Sequence, residues 1–461
     1  MEKIKNQFEK FENDNNLNEL NISWYPAWEI VRFFVLQEIF IQKWKTKQAI
    51  YPRKNIFLYV LKNIFNISRN IFNLFILFLK KDKYELFFLW HPRRQKQDDW
   101  YYYDIYTDYI KKECKKRKLK YISFEETYFN FYSPINKNSN ILYKLDLLYI
   151  YFLLTIKFVK INKKELLLIK NIEDKLNKEF WIKINLLNRI KRDITLFSIL
   201  VKFYDKLLIK LWVKNIIEVV WFSIWAKALN FSAKSKSIPT YELQHWTIVD
   251  NLACSLPEYF SWKTLPDYFL SYWKFWNNVI KFPKKQNIID VWFPYFENLL
   301  KNKKESLSDD ILIISQWNIS DKLSLYTKKI ALKYPNKNFY YKLHPWEFLN
   351  DCIIKNNLDN IKNVILVYDE YSVYDLMYKT WISIGVSSTS LYESFLFWNK
   401  IFILSINDDY KVFNYFIERQ LFSLIKSDDF LLNIDIKNNN VSREYFLTKN
   451  WLNNILKLIT K

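Results

Sequence analysis

Residues 381–404 read WISIGVSSTSLYESFLFWNKIFIL. A short apolar run, Trp381–Ile384, breaks at Gly385 into the hydroxyl row Ser387-Ser388-Thr389-Ser390. Leu391-Tyr392-Glu393-Ser394 then reads as a helix, and Ile401–Leu404 is a second apolar run. Strand, turn, helix and strand in that order, with both strands mostly apolar, describe a parallel sheet covered on both faces. The same grammar extends upstream. Strands are expected at Glu85–Leu89, Lys120–Phe124, Ile238–Leu243, Tyr268–Ser271 and Ile288–Val291. A second set covers Ile311–Ser315, Phe339–Leu343, Val364–Tyr368, Trp381–Ile384 and Ile401–Leu404.

The polar stretch Asn302–Asp310 (NKKESLSDD) separates the two sets and reads as a linker. Three regions follow: a helical one over 1–83, an α/β domain over 84–301 and a second α/β domain over 302–461. The Leu/Ile/Lys-rich block at about 140–235 reads as a helical insertion in the first α/β domain. The expected class is α/β, with two Rossmann-like domains facing a cleft. Ligands in such sheets bind beyond the carboxyl ends of the strands, so chemistry is sought there.

Composition narrows the function. Of 461 residues, half are hydrophobic and 26% charged, which excludes a wholly disordered chain. The net charge of +22 raises nucleic acid or an anionic membrane as partners. Lys, Asn, Ile, Phe and Tyr saturate the chain, so A/T-rich codon bias explains much of that charge. Nucleic-acid binding predicts a basic stripe interleaved with aromatics, whereas here lysines lie along every helix. Cys114, Cys254 and Cys352 are scattered and odd in number, which fits a reducing compartment and no zinc spacing. The N-terminus shows no signal-peptide core. The longest uncharged apolar stretches, Asn70–Leu79 and Leu147–Ile156, have ten residues each, too short to span a bilayer. A cytoplasmic protein is expected. The Lys-rich amphipathic segment Phe197–Lys214 suits peripheral contact with an anionic inner membrane and equally an ordinary helix with solvated lysines.

One number fits no ordinary globular chain. Glycine usage of about 7% implies roughly 30 glycines at this length, yet Gly385 stands alone beside 19 tryptophans. Several tryptophans occupy places that call for glycine, among them Trp90, Trp246, Trp292, Trp317 and Trp398, while Trp28 and Trp276 read as genuine. In some bacterial lineages UGA encodes glycine, and a common translation table renders it as tryptophan. Many of the 19 are therefore expected to be recoded glycines, with positions 246, 346 and 398 read that way below.

All three histidines, His91, His245 and His344, stand just after expected strands. Tyr341-Lys-Leu-His-Pro-Trp-Glu347 places His344 at the lip of a sheet, with Pro345 fixing the chain direction, where an imidazole can donate to a phosphate oxygen. Gly385, Ser387, Ser388 and Thr389 ahead of a helix N-terminus make an anion site from backbone N–H groups and hydroxyls, the alternative being plain N-capping. Glu393, one turn into that helix, is placed to reach a ribose. His245 in Leu243-Gln-His-Trp-Thr247 suits a base taking a proton from an acceptor hydroxyl. Asp98-Asp99, beside the basic loop His91-Pro-Arg-Arg94, offers a carboxylate base or a solvated loop.

From about Ile238 to Ile434 these residues resemble the two-domain GT-B transferases of bacterial surface polymers. That group includes capsule polysaccharide, CDP-glycerol glycerophosphotransferase and sialyltransferase-like enzymes. The resemblance rests on His245-Trp246-Thr247 read as His-Gly-Thr, on Lys342-Leu-His-Pro345, on Ser387-Ser-Thr-Ser-Leu-Tyr-Glu393, and on Phe397–Leu404, similar to a GKPxIxL step. It implies that His344, Ser387 and Ser388 hold donor phosphates and that His245 is the general base, with Asp98-Asp99 matching the acidic motif of the sialyltransferases. No metal or other cofactor is implied, because histidine, hydroxyl and helix-dipole donors stabilise the leaving phosphate. The expected activity moves a sugar, or a polyol phosphate, from a nucleotide-activated donor to a cell-surface polysaccharide or lipid-linked glycan. A sugar-nucleotide 2-epimerase is the alternative within the fold; its site needs several carboxylates in the cleft, where this sequence offers histidines and serines instead. A basic nucleic-acid-binding protein is the alternative of another class.

Overall fold

The computed structural model describes residues 2–44, 56–80, 82–90, 94–96, 102–125, 142–156, 161–245, 256–258, 260–272, 276–277, 282–283, 287–291, 295–296, 299, 308–348, 351–406, 409–425 and 451–459. The chain divides into two compact units, unit 1 over residues 1–295 with 446–461 and unit 2 over 296–445.

Unit 1 is built on seven strands: β1 Leu86–Trp90, β2 Tyr121–Glu125, β3 Leu142–Lys144, β4 Asn215–Glu218, β5 Thr240–Leu243, β6 Tyr268–Ser271 and β7 Ile288–Asp290. They lie in the order β7-β6-β5-β4-β1-β2-β3, with every neighbouring pair parallel. Leu86, Phe87, Phe88 and Leu89 are fully buried, the pattern of a strand covered on both faces. The covering helices are α1 Glu2–Asp14, α2 Ala27–Trp44, α3 Ile56–Leu79, α4 Asp108–Lys116, α5 Asp146–Thr155, α6 Lys163–Phe180, α7 Leu186–Leu211 and α8 Ile224–Lys234.

The helices of residues 1–83 share one core with the sheet. Phe8, Trp28, Val31 and Ile39 belong to the same buried cluster as Phe87, Phe124 and Ile216. Inside it, Arg32 meets Glu12 twice, Nε to Oε1 at 2.6 Å and Nη2 to Oε2 at 2.8 Å, and the Trp28 indole N–H donates to Glu12 Oε1 at 2.6 Å.

The expected helical insertion at 140–235 is corrected here. It contains β3 and, more important, β4, which pairs with β1 through Leu86↔Asn215 to Leu89↔Glu218 at the centre of the sheet. The apolar stripe of Phe197–Lys214 is also not a membrane face. Phe197, Leu200, Tyr204, Leu207 and Leu211 are fully buried on α7, because burial in a protein core satisfies that stripe as well as lipid does. Among the described residues no helix is long and apolar enough to cross a membrane.

Unit 2 has six parallel strands: β8 Ser308–Ile314, β9 Phe339–Lys342, β10 Val364–Val367, β11 Thr380–Gly385, β12 Lys400–Leu404 and β13 Ser423–Ile425. Its helices are α9 Ser320–Lys333, α10 Cys352–Leu358, α11 Val373–Lys379, α12 Thr389–Leu396 and α13 Asn414–Glu418, while the last helix, α14 Trp451–Ile459, belongs to unit 1. Ser308–Asp310, within the stretch read as a linker, already form the start of β8. The strand order is β10-β9-β8-β11-β12-β13. Numbered within the unit this is 3-2-1-4-5-6, a doubly wound sheet whose order reverses between β8 and β11. Unit 1 repeats the same order with a seventh strand added, reversing between β1 and β4. All ten expected strands are present, with ends displaced by a residue or two at most in most cases.

Candidate functional site

In unit 2 the polar residues collect where the strand order reverses. Gln316, just past β8, reaches the end of β11: its Nε2 donates to Ser387 Oγ at 3.0 Å, and its Oε1 accepts from the Ser387 N–H at 2.9 Å. Ser388 is the N-cap of α12, its Oγ accepting from the Ser390 N–H at 3.3 Å. Plain capping therefore describes Ser388, while Ser387 belongs to the bridge to Gln316. Ser387, Ser388, Thr389 and Ser390 are all half-buried, so the hydroxyl row forms a rim at the positive end of the helix dipole. Glu393 is half-buried one turn in.

Gly385 has a steric reason to be glycine. A Cβ there would lie 3.0 Å from Leu391 Cδ1 and 3.3 Å from the Ile314 carbonyl oxygen. Its absence lets α12 sit down on the strand end.

His344 follows β9 and is half-buried, and Pro345 opens a short turn ending at Glu347. The His344 N–H donates to Glu347 Oε2 at 2.5 Å, and the Glu347 N–H donates back to the His344 carbonyl at 2.8 Å. Ser315 Oγ donates to Glu347 Oε1 at 2.8 Å and lies 2.9 Å from the Tyr341 hydroxyl. Burial pushes the Glu347 carboxyl up to about 7 against the pull of the His344 amide and the Ser315 hydroxyl. A chain of polar contacts thus runs from His344 through Glu347 and Ser315-Gln316 to Ser387, across the ends of β9, β8 and β11. Glu347 and Gln316 were not singled out from the sequence. The reciprocal His-Pro-x-Glu spacing, three residues as in a capping box, is the signal that points to Glu347.

In unit 1, the register of β4 on β5 sets Glu218 beside Glu242. Both are wholly buried. Glu218 Oε1 accepts from Asn230 Nδ2 at 2.8 Å, Glu242 Oε1 accepts from the Trp221 N–H at 3.3 Å, and the Oε2 atom of each has no partner among the described residues. Burial raises both carboxyls, Glu218 to about 8 and Glu242 well above its ordinary range, where the neighbouring Glu218 charge adds to the effect. The two side chains cannot both be ionised near neutral pH.

His245 follows β5, with Nδ1 3.8 Å from Glu242 Oε1. Its ring meets Tyr106 edge-on and Phe222 at a tilt, and its carbonyl accepts from the Tyr106 hydroxyl at 3.2 Å. Gln244 ties the same loop to the next strand, accepting from the Tyr272 N–H at 2.9 Å. Tyr106 in turn is placed by Asp104, a wholly buried acid raised to about 6 by burial, which accepts from the Tyr106 N–H at 2.9 Å. Asp98 and Asp99 lie outside the described residues, as do His91, Trp246 and Thr247. Glu218 and Glu242 escaped the sequence reading because they sit inside apolar strands. A carboxylate in a run such as Asn215-Ile-Ile-Glu218 is itself a signal, since a buried acid needs a reason.

These raised carboxyls predict how stability depends on pH. An acid whose folded value lies above its unfolded one binds its proton more tightly when folded. Its stabilisation is complete below the ordinary carboxyl value and is lost as pH rises through about 7 for Glu347 and about 8 for Glu218. The thermal midpoint is expected to fall from about pH 5 to about pH 8, and Glu218→Gln to flatten the upper part of the fall. A level midpoint across that range in the unaltered protein would contradict the burial of these groups as protonated acids.

No protein-family model and no curated protein matches the chain. Solved structures do match in fold. The UDP-GlcNAc 2-epimerase of Methanocaldococcus jannaschii aligns over 81% of this chain and 99% of its own at 11% identity, with a TM-score of 0.50. The UDP-GlcNAc 2-epimerase of Neisseria meningitidis, bound to UDP-GlcNAc, aligns over 82% of this chain and 100% of its own at 14% identity, also with a TM-score of 0.50. At such identities the likeness is one of architecture, and it agrees with two doubly wound sheets of the same strand order: the chain has a two-domain α/β fold of the GT-B type.

Proposed function

We propose that the chain is an enzyme of nucleotide-activated sugars, with a phosphate-binding site in unit 2 and an acid–base site in unit 1. The observation that carries this reading is the His245–Glu242 pair backed by Glu218. An imidazole beside buried carboxyls that cannot all be charged is an environment that sets acid and base roles apart. The phosphate grip is supported by the polar chain from His344 to Ser387 and by the α12 N-terminus.

Of the chemistries open to such a site, sugar-nucleotide 2-epimerisation is the better supported. Moving the proton at the sugar C2 requires carboxyls near the base, and Glu218 and Glu242 supply them at adjacent strand ends. Transfer of the sugar or a polyol phosphate to a cell-surface polysaccharide or lipid-linked glycan is the second reading. One observation supports it: His245 is the least buried of the three, at 9% exposure against 0% for Glu218 and 1% for Glu242, and transfer needs a single base.

A thermal-shift panel of CMP, CDP, UDP, GDP and their sugar conjugates tests the common part. A ligand at ~100 times its dissociation constant adds about 2.7 kcal/mol, and that shift is expected to disappear in His344→Ala. Incubation with UDP-GlcNAc in D2O then separates the readings. Deuterium gained at C2 supports epimerisation, nucleotide release that depends on an added glycan acceptor with C2 still protonated supports transfer, and silence across the whole panel overturns both.

A further inference from the structure

The backbone bears on the single glycine independently of the proposed function. Among the described residues ten have positive φ, none of them glycine. Tryptophan makes up 19 of 461 residues, yet four of those ten are Trp24, Trp181, Trp212 and Trp398, at φ of 73°, 52°, 49° and 72°. For a bulky side chain such φ values are outliers.

Each of the four occupies a place whose geometry selects glycine. Trp181, Trp212 and Trp398 each stand just past a helix, α6, α7 and α12. In each case the following N–H returns to the helix: Ile182 to the Asn177 carbonyl at 3.2 Å, Val213 to Leu208 at 3.4 Å, and Asn399 to Ser394 at 3.2 Å. For Trp212 and Trp398 the inner bond is present as well, to Ile209 at 3.3 Å and to Phe395 at 3.2 Å. This is the Schellman motif, whose left-handed residue is usually glycine. Trp24 is the second turn residue of the hairpin Asn21–Ile22 with Tyr25–Pro26, and Ser23 before it also has positive φ, 49°. Two-residue hairpin turns with φ > 0 at both centres favour glycine.

The four side chains are also outside the core, at 96%, 87%, 66% and 50% exposure. The Lys83 ammonium lies 4.9 Å from the Trp212 ring. Trp28 is the opposite case: fully buried, stacked on Phe8 and donating to Glu12, work that a glycine cannot do.

We infer that positions 24, 181, 212 and 398 are glycines in the polypeptide its own cells make, whereas position 28 is tryptophan. The gene decides first. Those four codons are expected to be UGA and the codon for Trp28 to be UGG, and UGG at any of the four overturns the inference there. The polypeptide decides finally. The tryptic peptide 11–32 holds both Trp24 and Trp28, and from source cells its mass is expected to be lower than the written sequence by one tryptophan-to-glycine difference. Fragment ions should place that change at 24; an unchanged mass overturns the inference. The physical cause is tested on recombinant protein. Trp181→Gly, Trp212→Gly and Trp398→Gly are each expected to raise the melting midpoint by roughly 2 °C, whereas Trp28→Gly lowers it. A lower midpoint in all three would overturn the backbone argument.

Discussion

Replacing His245 with Ala is expected to lower turnover of the nucleotide sugar that stabilises the protein by ~10²–10⁴-fold, the usual contribution of a positioned acid–base group. The fold should survive. The Tyr106 hydroxyl is held by the His245 backbone carbonyl, which any residue supplies, and Gln244 keeps the loop on β6. Glu242→Gln is the informative partner. It retains an acceptor for the Trp221 N–H and removes the titratable carboxyl 3.8 Å from the imidazole. Turnover should fall less than in His245→Ala, and the pH–rate profile should lose the limb that the carboxyl sets. Full activity in His245→Ala would remove the proton carrier from unit 1. An unchanged profile in Glu242→Gln would leave that residue only the task of holding the loop between β4 and α8.

The second large effect concerns stability. Arg32→Ala is expected to destabilise unit 1 by about 3–5 kcal/mol, because it strands a carboxylate in the core. Glu12 is fully buried and Arg32 is 3% exposed, and the guanidinium also lies over the rings of Phe8, Phe260 and Trp262. The double replacement Glu12→Leu with Arg32→Leu should recover much of the loss, since a buried ion pair is often no better than apolar side chains of similar volume. Urea unfolding followed by tryptophan fluorescence reads both. A loss under about 1 kcal/mol in Arg32→Ala would mean that the pair is solvated like a surface salt bridge.

The α/β architecture was legible because buried parallel strands announce themselves as short apolar runs ended by polar loops. Tyr268–Ser271 and Phe339–Lys342 are read almost residue for residue. The central strand Asn215–Glu218 was not legible. The apolar sequence runs on from α7 through Leu211-Trp-Val213 with no punctuation, and the left-handed residue that ends the helix is written as Trp212. A glycine there would have marked the helix end and freed the next run to be seen as a strand. Leu142–Lys144 and Ser423–Ile425 are three-residue edge strands, too short to carry a period. At the candidate site, the placement of His245 and His344 just after strands was legible. Glu347, Gln316 and the Glu218–Glu242 pair were not, since their roles arise from which strand ends lie side by side, a matter of topology and not of local pattern.

The division of the chain also constrains how it is made on the ribosome. Unit 2 is one uninterrupted stretch, 296–445, flanked in sequence by the two segments of unit 1, whose last helix carries the buried side chains Ile455 and Leu456. Synthesis at about 5–20 residues per second brings out all of unit 2 before that helix emerges. The second domain can therefore be complete while the first still waits for its final piece, and a released chain ending before residue 446 would carry all of unit 2 but an unfinished unit 1.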